Sequence, residues 1–295
     1  MDVFLNGSMV PQEQALVSAE DSGLQHAVGL FETMAARHGR VFRLDEHLAR
    51  LARSAADLGL ARDLDTLAWR DAVELTLRHN ELDEARVRLT VTAGAATLAR
   101  RPEPAPPAQT VLVVAVPPTV YDPAYFEKGI SVLVAPPLAN PLDPLSGHKT
   151  LAYWGRLRTL RQAAAGAGEA IWLNISNHLA SGAVSNLFLV KAGTVFTPLA
   201  RGEEVKGALP APVLPGITRA AVLQLGAELG IEARRQMLAI DDLLDADEVF
   251  LTNSSWQLLP VTRVEKKPIG DGQVGPWSRR LRAALLDQVE QETGT

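Results

Sequence analysis

Eleven of the 19 prolines in this chain fall within one stretch, Pro102 to Pro144, in runs such as RRPEPAPPAQ, VPPTVYDP and APPLANPLDP. Proline lacks a backbone N–H and has a fixed φ, so it interrupts helices and central strands alike; such a cluster marks a connection instead of a core. The chain on either side must therefore bury its apolar residues separately. Its 295 residues also exceed the usual size of a single hydrophobic core, which agrees with two compact units. The expected division is an N-terminal domain over 1–117, a linker over 118–128 and a C-terminal domain over 129–295.

Ahead of the prolines, Val3-Phe4-Leu5, Asn6-Gly7 and Met9-Val10 predict a hairpin on a favoured turn dipeptide, and Leu30 to Ala35 with Val41 to Arg43 predict a second around His38-Gly39. Leu44, Leu48, Leu51, Ala55 and Leu58 recur at helical spacing up to Gly59, whereas Val87, Leu89 and Val91 alternate with polar neighbours as in a strand. The first domain is accordingly α+β. Beyond the prolines the pattern predicts a helix from about Leu151 to Ala165 and strands at Ala170–Leu173, Leu187–Val190 and Val195–Thr197. A helix from Ile217 to Leu229 stopped by Gly230, a strand at Glu248–Thr252 and an amphipathic helix from Trp277 follow.

Composition removes several function classes. A net charge of −5 gives no overall positive field to hold nucleic acid or an anionic membrane. Zero cysteines exclude disulfides, thiolate nucleophiles and iron–sulfur or zinc–thiolate sites together. The start carries Asp2 and Glu13 without an apolar signal core, and the longest strongly apolar run, Val111 to Val116, is far too short to span a bilayer. The expectation is a soluble, cytoplasmic protein. Gly166-Ala167-Gly168 lacks the third glycine of a dinucleotide fingerprint and precedes a strand, Gly147-His148-Lys149-Thr150 lacks the earlier glycine of a phosphate loop, and no G-x-S-x-G elbow occurs. The six histidines are scattered without a metal-type pair, so no catalytic metal is expected, and the acidic run Asp241 to Glu248 reads as a solvated face.

What remains are local signals with ordinary explanations beside them. Leu214-Pro215-Gly216-Ile217-Thr218-Arg219 stands directly before a helix, where open N–H groups and the dipole favour an anion, although any helix start shares this. Thr252-Asn253-Ser254-Ser255 clusters hydroxyl donors at a strand end and equally suits a polar turn. Arg50 lies off the apolar stripe of its helix, as a solvated arginine would, and Lys149 is expected to open the next helix as a surface charge. Only 6 of the 29 basic residues are lysine, so each lysine stands against a strong compositional pull toward arginine.

Taken in order, GLFETMAARHGRVFRLDEHLARLARSA, HKTLAYW, ASGAVSNLFLVKAGTVFTP, VLPGITR and DDLLDADEVFLTNSSWQLLPV resemble the class IV, fold type IV, pyridoxal-phosphate aminotransferase family over residues 3 to 285. That family includes branched-chain and D-amino acid aminotransferases and 4-amino-4-deoxychorismate lyase. The resemblance implies an α+β, two-domain fold with pyridoxal 5'-phosphate in the interdomain cleft, and a homodimer acting on an amino acid and a 2-oxo acid. By similarity Lys149 is the Schiff-base lysine and shuttles the proton at Cα; Arg50, the N–H groups of Ile217 and Thr218, and Ser254 bind the cofactor phosphate; and Tyr153 meets the ring phenolate. Arg88 matches a substrate-side arginine, with Arg100 and Arg101 in reserve for the substrate carboxylate, and Phe31 and Thr33 fall on the substrate side, Thr33 matching a threonine implicated in the lyase.

Two positions depart from the family. Ser181 stands where most members carry the glutamate that keeps the ring nitrogen protonated, and Ala27-Val28-Gly29 replaces the usual Gly-Asp-Gly before Phe-Glu. A hydroxyl can only donate to a neutral ring nitrogen, which weakens the electron sink. The implied activity is amino transfer. The alternatives are a lyase-type β-elimination that releases pyruvate, which Ser181 and Thr33 favour, and a fold kept as a binding module without catalysis.

Overall fold

Asn6 and Gly7 both take positive φ, 49° and 99°, and close the hairpin between β1 (Asp2–Leu5) and β2 (Ser8–Pro11) as the dipeptide predicts. The structure, a computed structural model, describes residues 1–60, 66–95, 109–136 and 139–294. It divides into two units that are not contiguous in sequence: Met1–Thr119 with His148–Ala152 and Glu290–Thr295, and Val120–Gly147 with Tyr153–Val289. The division read from the prolines is contiguous and puts His148 to Ala152 in the second domain, whereas the structure groups them with the first unit.

In the first unit the chain continues through α1 (Ser22–His26), β3 (Gly29–Arg37), β4 (Arg40–Val41), α2 (Leu44–Asp57), α3 (Thr66–His79), β5 (Ala85–Thr92) and β6 (Thr110–Val116). The strands form one antiparallel sheet in the order β2-β1-β6-β5-β3-β4. Alternation decides its faces: Leu30, Met34, Ala36, Val87, Leu89 and Val91 are buried with Leu48, Leu51 and Ala55 of α2 and Trp69, Val73 and Leu77 of α3. Truncating a core residue of this kind, such as Leu51, costs about 2–5 kcal/mol. The other face of β3 and β5 carries Phe31, Thr33, Arg86, Arg88 and Thr90.

The second unit contains α4 (Ala124–Glu127), β7 (Ile130–Val134), α5 (Trp154–Ala163), β8 (Glu169–Leu173), β9 (Leu179–Gly182), β10 (Asn186–Lys191), β11 (Thr194–Thr197), α6 (Ile217–Glu228), β12 (Ala233–Arg235), α7 (Ile240–Leu244), β13 (Glu248–Asn253), β14 (Gln257–Val264), β15 (Lys267–Pro268) and α8 (Pro276–Thr293), the last ending in residues grouped with the first unit. Its nine-stranded sheet runs β12-β11-β10-β13-β14-β7-β8-β9, with β15 on β14 and parallel pairs at β11/β12, β14/β7 and β7/β8. Leu187, Leu189, Val249, Leu251, Leu259 and Val261 form the centre of one core. Among the described residues no helix is long and apolar enough to cross a membrane, and the run Val111 to Val116 lies in β6.

The helix expected from Leu151 begins instead at Trp154, because residues 149–151 pair with the edge of β3: Phe31 N–H donates to Lys149 O at 3.0 Å and Leu151 N–H to Gly29 O at 2.9 Å. Lys149 therefore extends a sheet edge and does not open a helix.

Candidate active site

Lys149 is held at that edge so that its Nζ lies 4.5 Å from the centre of the Phe31 ring. The guanidinium of Arg88, one strand over on β5, lies 3.7 Å from the same centre. Both distances suit cation–π contact, and the two cations converge on one aromatic surface where a carboxylate is the natural counter-ion. Arg88 Nε also donates to Thr90 Oγ1 at 3.3 Å, and Thr33 is the cross-strand partner of Arg88. Phe31, Thr33, Arg88 and Lys149 are thus brought together, while Arg100 and Arg101 lie outside the described residues.

Arg50 is not the solvated arginine that its place off the stripe suggests. It is buried, and its Nε and Nη2 donate to the two carboxylate oxygens of Glu32 at 2.9 and 2.5 Å. His47, one turn earlier on α2, donates from Nδ1 to Glu32 Oε2 at 2.8 Å. Burial pushes the Glu32 carboxyl up, but the Arg50 charge and the His47 hydrogen bond outweigh it and hold the group at about 2. Burial also pushes His47 below its ordinary value against the pull of Glu32, so the imidazole is neutral at pH 7. Glu32 and His47 were not identified from the sequence. The clue available was Glu32 lying among Leu30, Met34 and Ala36 on the face that alternation buries, where a carboxylate requires partners.

In the second unit three backbone segments meet. The turn from Ser181 to Asn186 between β9 and β10 is tied to the end of β13 by Asn253 Nδ2 donating to Val184 O at 3.3 Å, and to the segment before α6 by Asn186 Nδ2 donating to Leu214 O at 2.9 Å. Ile217 and Thr218, both buried, open α6 after Gly216, whose side-chain-free position a Cβ would fill by overlapping Asn186 Oδ1. No side chain caps this helix start and no acidic residue lies in its first turn. Ser254 follows β13 in a turn whose Ser255 and Trp256 N–H groups are satisfied by Asn253 Oδ1 at 2.9 and 3.0 Å. Thr252, opposite Asn186 in the sheet register, is buried with a hydroxyl that has no hydrogen-bond partner among the described residues.

Tyr153 is the residue before α5, and Arg156 one turn later reaches back to the Ser181 turn. Ser181 is buried and donates to Gly182 O at 2.8 Å. Below that turn Glu169 accepts from the N–H groups of Ala170, Ala183 and Val184 and from the Ser185 hydroxyl at 2.9 to 3.2 Å. Burial pushes its carboxyl above the ordinary value against those donors. Among the described residues no group of His, Cys, Asp and Glu could hold a metal ion.

The donor set fits pyridoxal phosphate. Each unit by itself holds part of what an aldehyde bearing a phosphate monoester requires: the first an amine on a fixed sheet edge, the second an uncapped helix start with a glycine cradle and an orphaned buried hydroxyl. The amino-transferase class IV model matches residues 29–264. The chain belongs to this family. Among class IV relatives, the branched-chain-amino-acid aminotransferase of Escherichia coli (strain K12) is 31% identical over 99% of this chain and 94% of its own. A crystal structure of the E. coli enzyme matches with a TM-score of 0.87 at 30% identity, covering 99% of this chain and 95% of that one. The T.th. branched-chain amino acid aminotransferase, solved with pyridoxamine 5'-phosphate, gives a TM-score of 0.87 at 28% identity over 98% and 93% of the two chains. The 4-amino-4-deoxychorismate lyase of Pseudomonas aeruginosa gives 0.82 at 26% identity over 97% and 98%. The class IV fold, α+β in two units, is that of these relatives.

Proposed function

We propose that this class IV enzyme transfers an amino group from an amino acid to a 2-oxo acid, with pyridoxal 5'-phosphate bound through Lys149. The observation that carries the reading is the convergence of Lys149 Nζ and the Arg88 guanidinium on the Phe31 ring, at 4.5 and 3.7 Å. Pyridoxal phosphate, when bound, supplies an aldehyde that takes up primary amines and a conjugated ring that accepts the electrons of a broken Cα–H bond.

Lys149 would supply the amine that holds the cofactor, and its Nζ would be the base that takes and returns the proton at the substrate Cα. Arg88 pairs with the substrate carboxylate, Phe31 packs beside it, and Thr33 lies on the same strand face. By the family resemblance, Ile217 and Thr218 would offer backbone N–H groups to the phosphate, Ser254 a hydroxyl and Arg50 a charge, and Tyr153 would meet the ring oxygen. The same reading takes the chain as a cytoplasmic homodimer, on the family resemblance and the absence of cysteine. A second reading, β-elimination releasing pyruvate, is supported by one feature of the sequence: Ser181 stands where, by the family resemblance, most members carry the glutamate that strengthens the electron sink.

Borohydride reduction of the holoenzyme followed by peptide mapping tests the assignment. The label is expected on Lys149 and, because arginine cannot condense with an aldehyde, Lys149→Arg should lose both label and turnover. Labelling of Lys128, Lys191, Lys206, Lys266 or Lys267 instead would overturn it. Incubating the enzyme with L- and D-amino acids and 2-oxo acids, and separately with aminodeoxychorismate, divides the two reactions.

A further inference from the structure

Ser181 is not a bare substitution, because a cation is built onto it. Arg156 Nη1 donates to Ala183 O at 3.0 Å, to Gly182 O at 3.2 Å and to Ser181 Oγ at 3.4 Å. Its guanidinium rests 4.7 Å from the Trp172 ring centre and 5.9 Å from that of Tyr153. Trp172 is itself fixed by its indole N–H donating to Thr159 Oγ1 at 2.9 Å. The elements around the Ser181 turn contribute Arg156 and Tyr153 from α5 and its start, and Glu169 from β8. Glu169 cannot replace the carboxylate missing at 181, since both its oxygens are occupied by the N–H groups of Ala170, Ala183 and Val184 and by Ser185.

We propose that Arg156 is a positioning residue that acts through Ser181 to keep the ring nitrogen of the bound cofactor unprotonated. The inference rests on the cofactor reading above, in which Ser181 takes the place facing that nitrogen. Two physical steps connect the residues. A hydroxyl has one proton, and Ser181 gives it to Gly182 O; to donate to a ring nitrogen it must rotate and leave that buried carbonyl, which is costly unless another donor remains. Arg156 Nη1 already contacts Gly182 O, so the carbonyl stays satisfied and the Ser181 proton is released for a neutral nitrogen. The second step is charge. A pyridinium beside a fixed guanidinium, with no carboxylate to offset it, is the disfavoured protonation state. Where relatives place an anion, this chain places a hydroxyl held by a cation.

The test is 15N NMR of ring-labelled pyridoxal phosphate bound to the full-length protein, followed as a function of pH. Wild type is expected to show the neutral pyridine resonance at pH 7. Arg156→Met, apolar and similar in length, should raise the nitrogen's titration midpoint by about one pH unit or more. Arg156→Lys should restore the wild-type state, and Ser181→Glu should convert the resonance to pyridinium. A purely structural role for Arg156 predicts no movement of the midpoint. A protonated nitrogen in wild type, or a midpoint unmoved in Arg156→Met, overturns the proposal while leaving the cofactor reading intact. Absence of any bound resonance overturns the cofactor reading itself, and the proposal with it. If Arg156→Met does not fold, Arg156→Gln, which keeps a donor for Gly182 O and Ala183 O but not the charge, is read in its place, and a midpoint unmoved in it overturns the proposal equally.

Discussion

Glu32 links two demands on Arg50, because the guanidinium assigned to the cofactor phosphate also neutralises a fully buried carboxylate. Removing one partner of a buried pair leaves an uncompensated charge, so Arg50→Ala should destabilise the protein by about 3–5 kcal/mol. Adding Glu32→Gln removes that charge and should recover much of the stability. Cofactor affinity should behave otherwise, falling on the order of 10- to 100-fold in Arg50→Ala and staying low in the double variant, since Gln at position 32 supplies no phosphate contact. Chemical denaturation and cofactor titration of the three proteins separate the two effects. Affinity that returns together with stability would confine Arg50 to its structural pairing. This residue also shows where sequence reading stops. Helical periodicity places Arg50 off the apolar stripe, which is correct, but its burial depends on a strand 18 residues earlier presenting Glu32 to that flank. Periodicity describes one element at a time and carries no information about the neighbour's register.

Elements, by contrast, were largely legible. The β3, α2, β5, β8, β10, α6 and β13 segments follow from alternation, helical spacing and glycine stops, and Gly230 does end α6 with a positive φ of 70°. The stripe Trp69, Ala72, Val73, Thr76 and Leu77 carries the same signal for α3, although that helix was not among the expected elements. The edge pairing of residues 149–151 with β3 was not legible, because an isolated bridge across more than a hundred residues leaves no local pattern. The start of α6 was legible as an anion site in principle, and its geometry now gives a sharper expectation. Gly216 has an ordinary φ of −68°, so its requirement is space, not conformation: a Cβ would overlap Asn186 Oδ1. Gly216→Ala should therefore displace either Asn186 or the first turn of the helix, at a cost of about 1–3 kcal/mol. Affinity for pyridoxal phosphate should fall more than affinity for its dephosphorylated form. Equal losses for the two ligands would remove the helix start from the phosphate site.

At the scale of the whole molecule the two units carry buried acids with opposite responses to pH. In the first unit Glu32 has an ordinary value of 4.5 and sits at about 2 in the fold, and His47 lies below its ordinary 6.5. Both groups bind protons more readily when unfolded, so their stabilising contribution is present above those ordinary values and is lost as pH falls, first below 6.5 and then from 4.5 toward 2. In the second unit Glu169 lies above its ordinary 4.5, so the folded state holds its proton longer. Its contribution is present below 4.5 and is lost as pH rises through the higher folded value. Acidification should thus loosen the packing of α2 on β3 while tightening the turn that Glu169 supports between Ala183 and Ser185. Hydrogen exchange resolved by peptide, expressed as protection factors so that intrinsic pH effects cancel, measures each unit separately. Protection in α2 and β3 should decline from pH 6.5 downward, and protection at Ala183 and Val184, whose N–H groups bind Glu169, should decline upward from 4.5. Glu169→Gln should abolish the pH dependence of the second trend and leave the first untouched, because an amide does not titrate, while its single acceptor oxygen lowers protection at one of the two donor pairs at every pH. Parallel loss of protection in both units on acidification would show that Glu169 is ionised throughout, and would leave the turn beneath Ser181 resting on a charged carboxylate.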